Sequence, residues 1–199
     1  MVSRGSVWVT LLLLSLLAAW VPASSAEGEN ELDLRPVLLV VDVQNAYLPH
    51  MAQADKDSAA APINEAIALF RKSGNPVIVV QHTDPKRGPE PGSEPSQFAD
   101  WVNVTAGDPH IVKMHPSAFT HTDLDSLLKS MDRNSVFLCG LSAVGCVLAT
   151  YFGALDRDYM TFMVEGALIS HDATYTDVVE DICYSVSIEE LATALKLTQ

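Results

Sequence analysis

Between residues 37 and 197 the chain repeats one pattern: a short run of consecutive apolar residues, a polar stretch with turn formers, then apolar positions at helical spacing. Val37-Leu38-Leu39-Val40-Val41-Asp42-Val43 and Val77-Ile78-Val79-Val80-Gln81-His82 are continuous rather than alternating. That is how parallel strands covered on both faces read. His110-Ile111-Val112-Lys113, Val136 to Leu138 and Met160 to Val164 predict three further strands, and Tyr184 to Ser187 a sixth. Pro62, Ile63, Ala66, Ile67 and Phe70 mark a helix with proline in its first turn and Gly74 past its end, after a loop from Asn45 to Asp57. Asp123 caps a second helix through Leu124, Leu127, Leu128 and Met131. Cys146 to Asp156, Tyr175 to Ile182 and Glu189 to Leu197 complete the set. Thr83 to Asp108, with Pro85, Gly88, Pro89, Pro91, Gly92 and Pro95, is a long connection interrupted by a short helix around Gln97 to Val102. Connections of this length usually serve as lids or binding loops. The alternation predicts an α/β fold, a three-layer doubly wound sandwich around a mostly parallel sheet.

The N-terminus breaks the pattern. Met1 to Arg4 is a short basic leader, Val7 to Trp20 is almost unbroken apolar sequence, and Ala23-Ser24-Ser25-Ala26 offers small residues for cleavage. This predicts a secretory signal peptide over 1–26, a flexible lead-in over 27–36 and one domain over 37–199. The apolar run is short for a spanning helix and lacks a basic stop-transfer flank, so the expected location is outside the cell or in the secretory lumen, with no membrane association after cleavage. Cleavage leaves 199 − 26 = 173 residues, enough for one full core. The net charge of −13, with no basic stripe, excludes nucleic acid as a partner. Three cysteines, Cys139, Cys146 and Cys183, leave at least one thiol free; Cys139 could pair with Cys183 while Cys146 stays reduced. Asn103-Val104-Thr105 is an N-glycosylation acceptor at Asn103 if the leader operates in a eukaryote.

The chemistry gathers at strand ends. After Val136 to Leu138 come Gly140 and Gly145, then Cys146 at the start of a helical segment. A helix N-terminus favours a thiolate, so Cys146 reads as a nucleophile, although unpaired cysteine is also among the most buried residue types. Asp42 and Lys113 stand at the carboxyl ends of two other strands, where open α/β sheets bind ligands. Singly, Asp42 fits a turn residue and Lys113 an exposed side chain. Together, a carboxylate to take the thiol proton, an ammonium to offset both charges and backbone N–H groups of the Gly140 to Gly145 turn and Cys146 to hold an oxyanion are the parts of a nucleophilic site.

Leu39-Val40-Val41-Asp42-Val43-Gln44-Asn45-Ala46-Tyr47, Ile111-Val112-Lys113 before Ser117-Ala118-Phe119, and Cys139-Gly140-Leu141 before Cys146-Val147 resemble the isochorismatase-like cysteine hydrolases. The resemblance implies six strands in the order 3-2-1-4-5-6, with Asp42, Lys113 and Cys146 as catalytic aspartate, lysine and cysteine. It also implies a cis peptide at Leu141-Ser142 that aims the Ser142 N–H, beside that of Cys146, at the oxyanion. The implied activity is hydrolysis of a C–N bond in a small amide or ureide through a Cys146 thioester, without a cofactor, in a homo-oligomer. Asn45, Tyr47, His82 and Phe119 are the expected pocket residues. Ala143 and Gly145 depart from many members, which carry threonine and a bulkier or polar residue there. The Asp-x-His pair of metal-binding nicotinamidases is missing, and His50, Asp55 and His82 do not replace its spacing, so no metal is expected. Two other readings stay open: vinyl-ether hydrolysis of isochorismate by an aspartic acid, and a non-catalytic binding module on the same fold.

Overall fold

A computed structural model describes residues 33–86 and 88–197. The expected signal peptide, and the lead-in as far as residue 32, lie outside the described residues. The apolar runs form six parallel strands: β1 (Pro36–Val41), β2 (Val77–His82), β3 (His110–Lys113), β4 (Ser135–Leu141), β5 (Met160–Ile169) and β6 (Ser185–Val186). Their order is β3-β2-β1-β4-β5-β6, with every pairing parallel. Helices α1 (Gln53–Lys72), α2 (Leu124–Ser130), α3 (Leu148–Leu155), α4 (Thr174–Ile182) and α5 (Ile188–Ala194) fill the connections.

Strand side chains alternate between two cores because successive residues point to opposite faces. Val37, Leu39, Val41, Val136 and Leu138 pack with Leu124 and Leu128 of α2, Tyr151 and Ala154 of α3 and Val179 of α4. Leu38, Val40, Phe137 and Cys139 pack on the other face with Ile63, Ile67 and Phe70 of α1 and Leu191 of α5. Burial on both faces explains why these strands carry no polar alternation.

Several boundaries differ from the sequence pattern. Helix α1 starts at Gln53, inside the expected loop, and Pro62 lies within it. The extra turns bury Asp55 and Ala59, and Asp55 Oδ2 accepts the Ser170 N–H at 2.8 Å, a tertiary anchor that no local signal announces. The helix expected around Gln97 is replaced by a single tight turn at Glu94–Ser96. Strand β4 runs on through Gly140, and β5 continues past an irregularity to pair Leu168 and Ile169 with Gly140 and Leu141. The Cys139–Cys183 pair does not form: Cys139 lies in the α1-side core, Cys183 packs on the opposite core, and both are free. Among the described residues no helix is long and apolar enough to cross a membrane.

Gly140 is required by its surroundings. Its φ is +110°, and a Cβ there would stand 2.2 Å from the Val41 carbonyl oxygen, backbone that cannot swing aside. Gly140→Ala is expected to lower unfolding stability by about 3 kcal/mol or more, read as a shift of the urea midpoint at unchanged slope.

Candidate active site

The strand order places the topological switch between β1 and β4, the position where such sheets bind ligands. Asp42 follows β1 directly, with φ +52°, a left-handed conformation that aspartate tolerates better than most residues. Its N–H donates to the Val80 carbonyl at 2.9 Å, so the strand end is held as the side chain leaves the sheet. Lys113 closes β3, two strands away. Two strand spacings are about 10 Å, so only a long side chain turned along the sheet edge can reach Asp42.

Lys113 makes that reach. Its ammonium donates to Asp42 Oδ2 at 2.7 Å, to Cys146 Sγ at 3.1 Å and to the His115 carbonyl at 3.2 Å. Asp42 and Lys113 are each 1 % exposed, and Cys146 is half-buried. An ammonium has three N–H donors, and each has an acceptor here. Asp42 Oδ1 is buried with no partner at hydrogen-bond geometry.

Cys146 does not open a regular helix. Ala143–Val147 is one wide turn in which Gly145 leaves helical dihedrals (φ −118°, ψ −109°), and α3 begins only at Leu148. The Leu141-Ser142 peptide is cis. The Ser142 carbonyl accepts the N–H groups of Gly145 at 2.9 Å and Val147 at 3.2 Å, closing the turn around the thiol. Thr150, unremarked in the sequence, fixes this turn from below. It donates to the Cys146 carbonyl at 2.7 Å and accepts the Ala118 N–H at 3.0 Å. Gln44 was equally silent: buried, it binds His82 through its carbonyl oxygen at 2.8 Å and the His82 and Ser96 carbonyls through its amide at 3.0 and 2.8 Å. A polar residue two positions after the strand-end acid was the available signal for Gln44, and a hydroxyl one helical turn after the cysteine the signal for Thr150.

The expected pocket residues divide. The Tyr47 hydroxyl meets His82 Nδ1 at 2.5 Å. Asn45 reaches sideways to Glu94 Oε1 at 2.9 Å. Phe119 is 4 % exposed, stacked on Tyr159 with the Arg157 guanidinium over its ring. Its ring turns inward because Gly153 of α3 leaves space beside it. A hollow of about 400 Å³ lined by Asp84, Pro85, Lys86, Met114 and His115 opens beside the Lys113 strand end. Asn103 is exposed on a loop tied to α1, its N–H to Asn64 Oδ1 and its carbonyl to Arg71. Among the described residues no three His, Cys, Asp or Glu side chains gather as a metal site needs.

A model of the isochorismatase domain matches residues 36–195. The chain belongs to the isochorismatase family. It is 32% identical to the isochorismatase family protein YddQ of Bacillus subtilis over 149 residues, 72% of this chain and 81% of that one. It is 24% identical to the secreted isochorismatase effector Isc1 of Verticillium dahliae over 86% of this chain and 88% of that one. Among solved structures it resembles the N-carbamoylsarcosine amidase of Thermoplasma acidophilum, 30% identical, with a TM-score of 0.67 over 77% of this chain and 95% of the amidase. The six-stranded order implied by the resemblance is the order found, and the chain is a hydrolase of this family.

The electrostatics of this isochorismatase-family site are set by burial and by one cation. Burial pushes the Cys146 thiol up to about 12, the Asp42 charge adds to that, and Lys113 only partly opposes it. Burial also raises the Asp42 carboxyl above 3.8 against the pull of Lys113. Burial and the Asp42 charge thus work against a Cys146 thiolate, and Lys113 works for it. Asp42→Asn removes the nearest proton acceptor and Lys113→Met the cation that holds the thiolate, and each is expected to slow iodoacetamide alkylation of Cys146 at neutral pH about tenfold, measured by peptide mass spectrometry.

Proposed function

We propose that this chain is a secreted hydrolase that cleaves the C–N bond of a small amide or ureide through a thioester on Cys146. The observation that carries this reading is the single buried ammonium that touches a carboxylate at 2.7 Å and a thiol sulfur at 3.1 Å. Asp42 takes the Cys146 proton as sulfur attacks the carbonyl carbon, so the cluster keeps its net charge while the nucleophile forms. The raised carboxyl makes this transfer less uphill, and Lys113 holds both anions. Asp42 then gives the proton to the departing nitrogen, and the C–N bond breaks. Water attacks the thioester, releasing the acid and restoring the thiol. The Ser142 and Cys146 N–H groups are the assigned oxyanion donors, each worth about 3 to 4 kcal/mol when well placed. The similarity to an amidase supports C–N chemistry, and the secreted relative supports a working leader.

The raised Asp42 carboxyl also favours a second reading, protonation of the isochorismate vinyl ether, which needs no thiol. Release of pyruvate from isochorismate by Cys146→Ala would establish it.

The purified protein is to be incubated with butyramide, benzamide, N-carbamoylglycine and N-carbamoylsarcosine, with ammonia or amine release measured. Turnover is expected for at least one, with an acyl adduct on Cys146 and a loss of more than about 1000-fold in Cys146→Ala. Undiminished hydrolysis by that variant overturns the mechanism. In wild type, kcat/KM is expected to fall with falling pH through a value above 3.8, because a protonated Asp42 cannot accept the thiol proton.

A further inference from the structure

Helix α4 is more apolar than its own fold requires. Val179 makes its buried contact with the sheet side, yet Tyr175, Val178 and Ile182, at spacing i, i+3 and i+7, form a stripe beside it that stays in solvent, Ile182 at 64 % exposure. Helix α3 has the same excess: Tyr151 and Ala154 fill the core, while Phe152, 50 % exposed, and Leu155, three residues on, do not.

The two stripes are joined. The Tyr151 ring meets Phe152 edge-on with centroids 5.5 Å apart, and its hydroxyl accepts the Tyr184 N–H at 2.9 Å just past α4. Tyr184 itself is 71 % exposed. Leu155 and Tyr184 then flank one hollow of about 440 Å³ that Tyr159 and Phe162 also line.

We propose that this face is where two copies of the chain pair across a twofold axis, α3 and α4 of one protomer on those of its partner. Size is the first reason. Large side chains expose about 150 to 250 Å² each when free, so the exposed fractions of Phe152, Leu155, Tyr175, Val178, Ile182 and Tyr184 amount to on the order of 600 Å² per copy and about 1,200 Å² per pair. That is more than a monomer usually leaves in one patch, and it reaches the range of stable interfaces before any polar rim is counted.

Self-complementarity is the second. The face holds both projecting side chains and a hollow, so each protomer offers what the other needs, as a twofold interface demands. The chain's own lead-in is a poor substitute. Glu27 to Leu32, between the expected leader and the described fold, has a single apolar side chain, Leu32.

Charge sets how the pair must respond to salt. Asp177 and Asp181, exposed and four residues apart, occupy the outward arc of α4 beyond the stripe, so in the pair they stand at the rim near those of the other copy. Two chains of formal charge −13 repel one another. Apolar contact supplies the attraction, and screening the repulsion strengthens it. A basic partner would show the opposite salt dependence.

The test is sedimentation equilibrium of the purified protein from about 0.1 to 100 μM, in sodium chloride at about 0.05 and about 0.5 M. A monomer–dimer equilibrium is expected, at least about threefold tighter at the higher salt. Phe152→Ser and Ile182→Ser are each expected to raise the dissociation constant more than about 30-fold. Both replace exposed side chains, so the thermal midpoint of the dilute monomer is expected to stay at the wild-type value. Val112→Glu changes an equally exposed apolar residue on β3, at the opposite edge of the sheet, and is expected to leave the constant within about threefold. A monomer at every concentration, a dimer indifferent to Phe152→Ser and Ile182→Ser, equal weakening by Val112→Glu, or loosening by salt overturns the pairing. So does a monomer that co-sediments with phosphatidylcholine vesicles, which would assign the face to a lipid surface. Hydrolysis is read in none of these measurements, so the activity proposed above stands or falls separately.

Discussion

The structure turns on one buried ammonium. Lys113 has three hydrogens and three acceptors, a carboxylate from the end of β1, a sulfur from the turn after β4 and the carbonyl of His115. A buried cation with any of these missing would carry an unrelieved desolvation cost of several kcal/mol. The need to satisfy it therefore constrains three separate segments at once. Gly140 lets β4 close against Val41, Thr150 holds the cysteine turn, and Gln44 ties the ends of β1 and β2 to the loop that follows. The parts of the site that look independent in the chain are coupled through this charge.

One cation between two acids also sets the chemistry. Were the carboxyl and the thiol both ionised, the cluster would carry a net negative charge in a water-poor setting, which burial opposes at each group. A single proton shared between Asp42 and Cys146 avoids this. In the proposed mechanism, nucleophile formation is a proton shift within a neutral cluster rather than the creation of a free thiolate.

Much of the fold was legible in local patterns. Unbroken apolar runs announced buried parallel strands, and Asp42, Lys113 and Cys146 announced themselves by standing at strand ends. What the local pattern leaves out has one cause: long-range partners. Helix α1 starts early because Asp55 meets Ser170, more than a hundred residues away. Phe119 turns into the core because Gly153 and Tyr159 receive it. Cys139 and Cys183 are kept apart by the sheet itself, an arrangement visible only once alternating side chains are assigned to faces.

The sequence by itself determined the element types, the α/β class and which charged and thiol groups stand at strand ends, because these follow from periodicity and residue chemistry over short windows. The strand order followed from family resemblance. Tertiary structure alone decided the protonation landscape. A cysteine that looks acidified in its local context becomes a weak acid once burial and a neighbouring carboxylate outweigh one lysine. Electrostatic free energy depends on depth and distance, which residue types in a line do not specify.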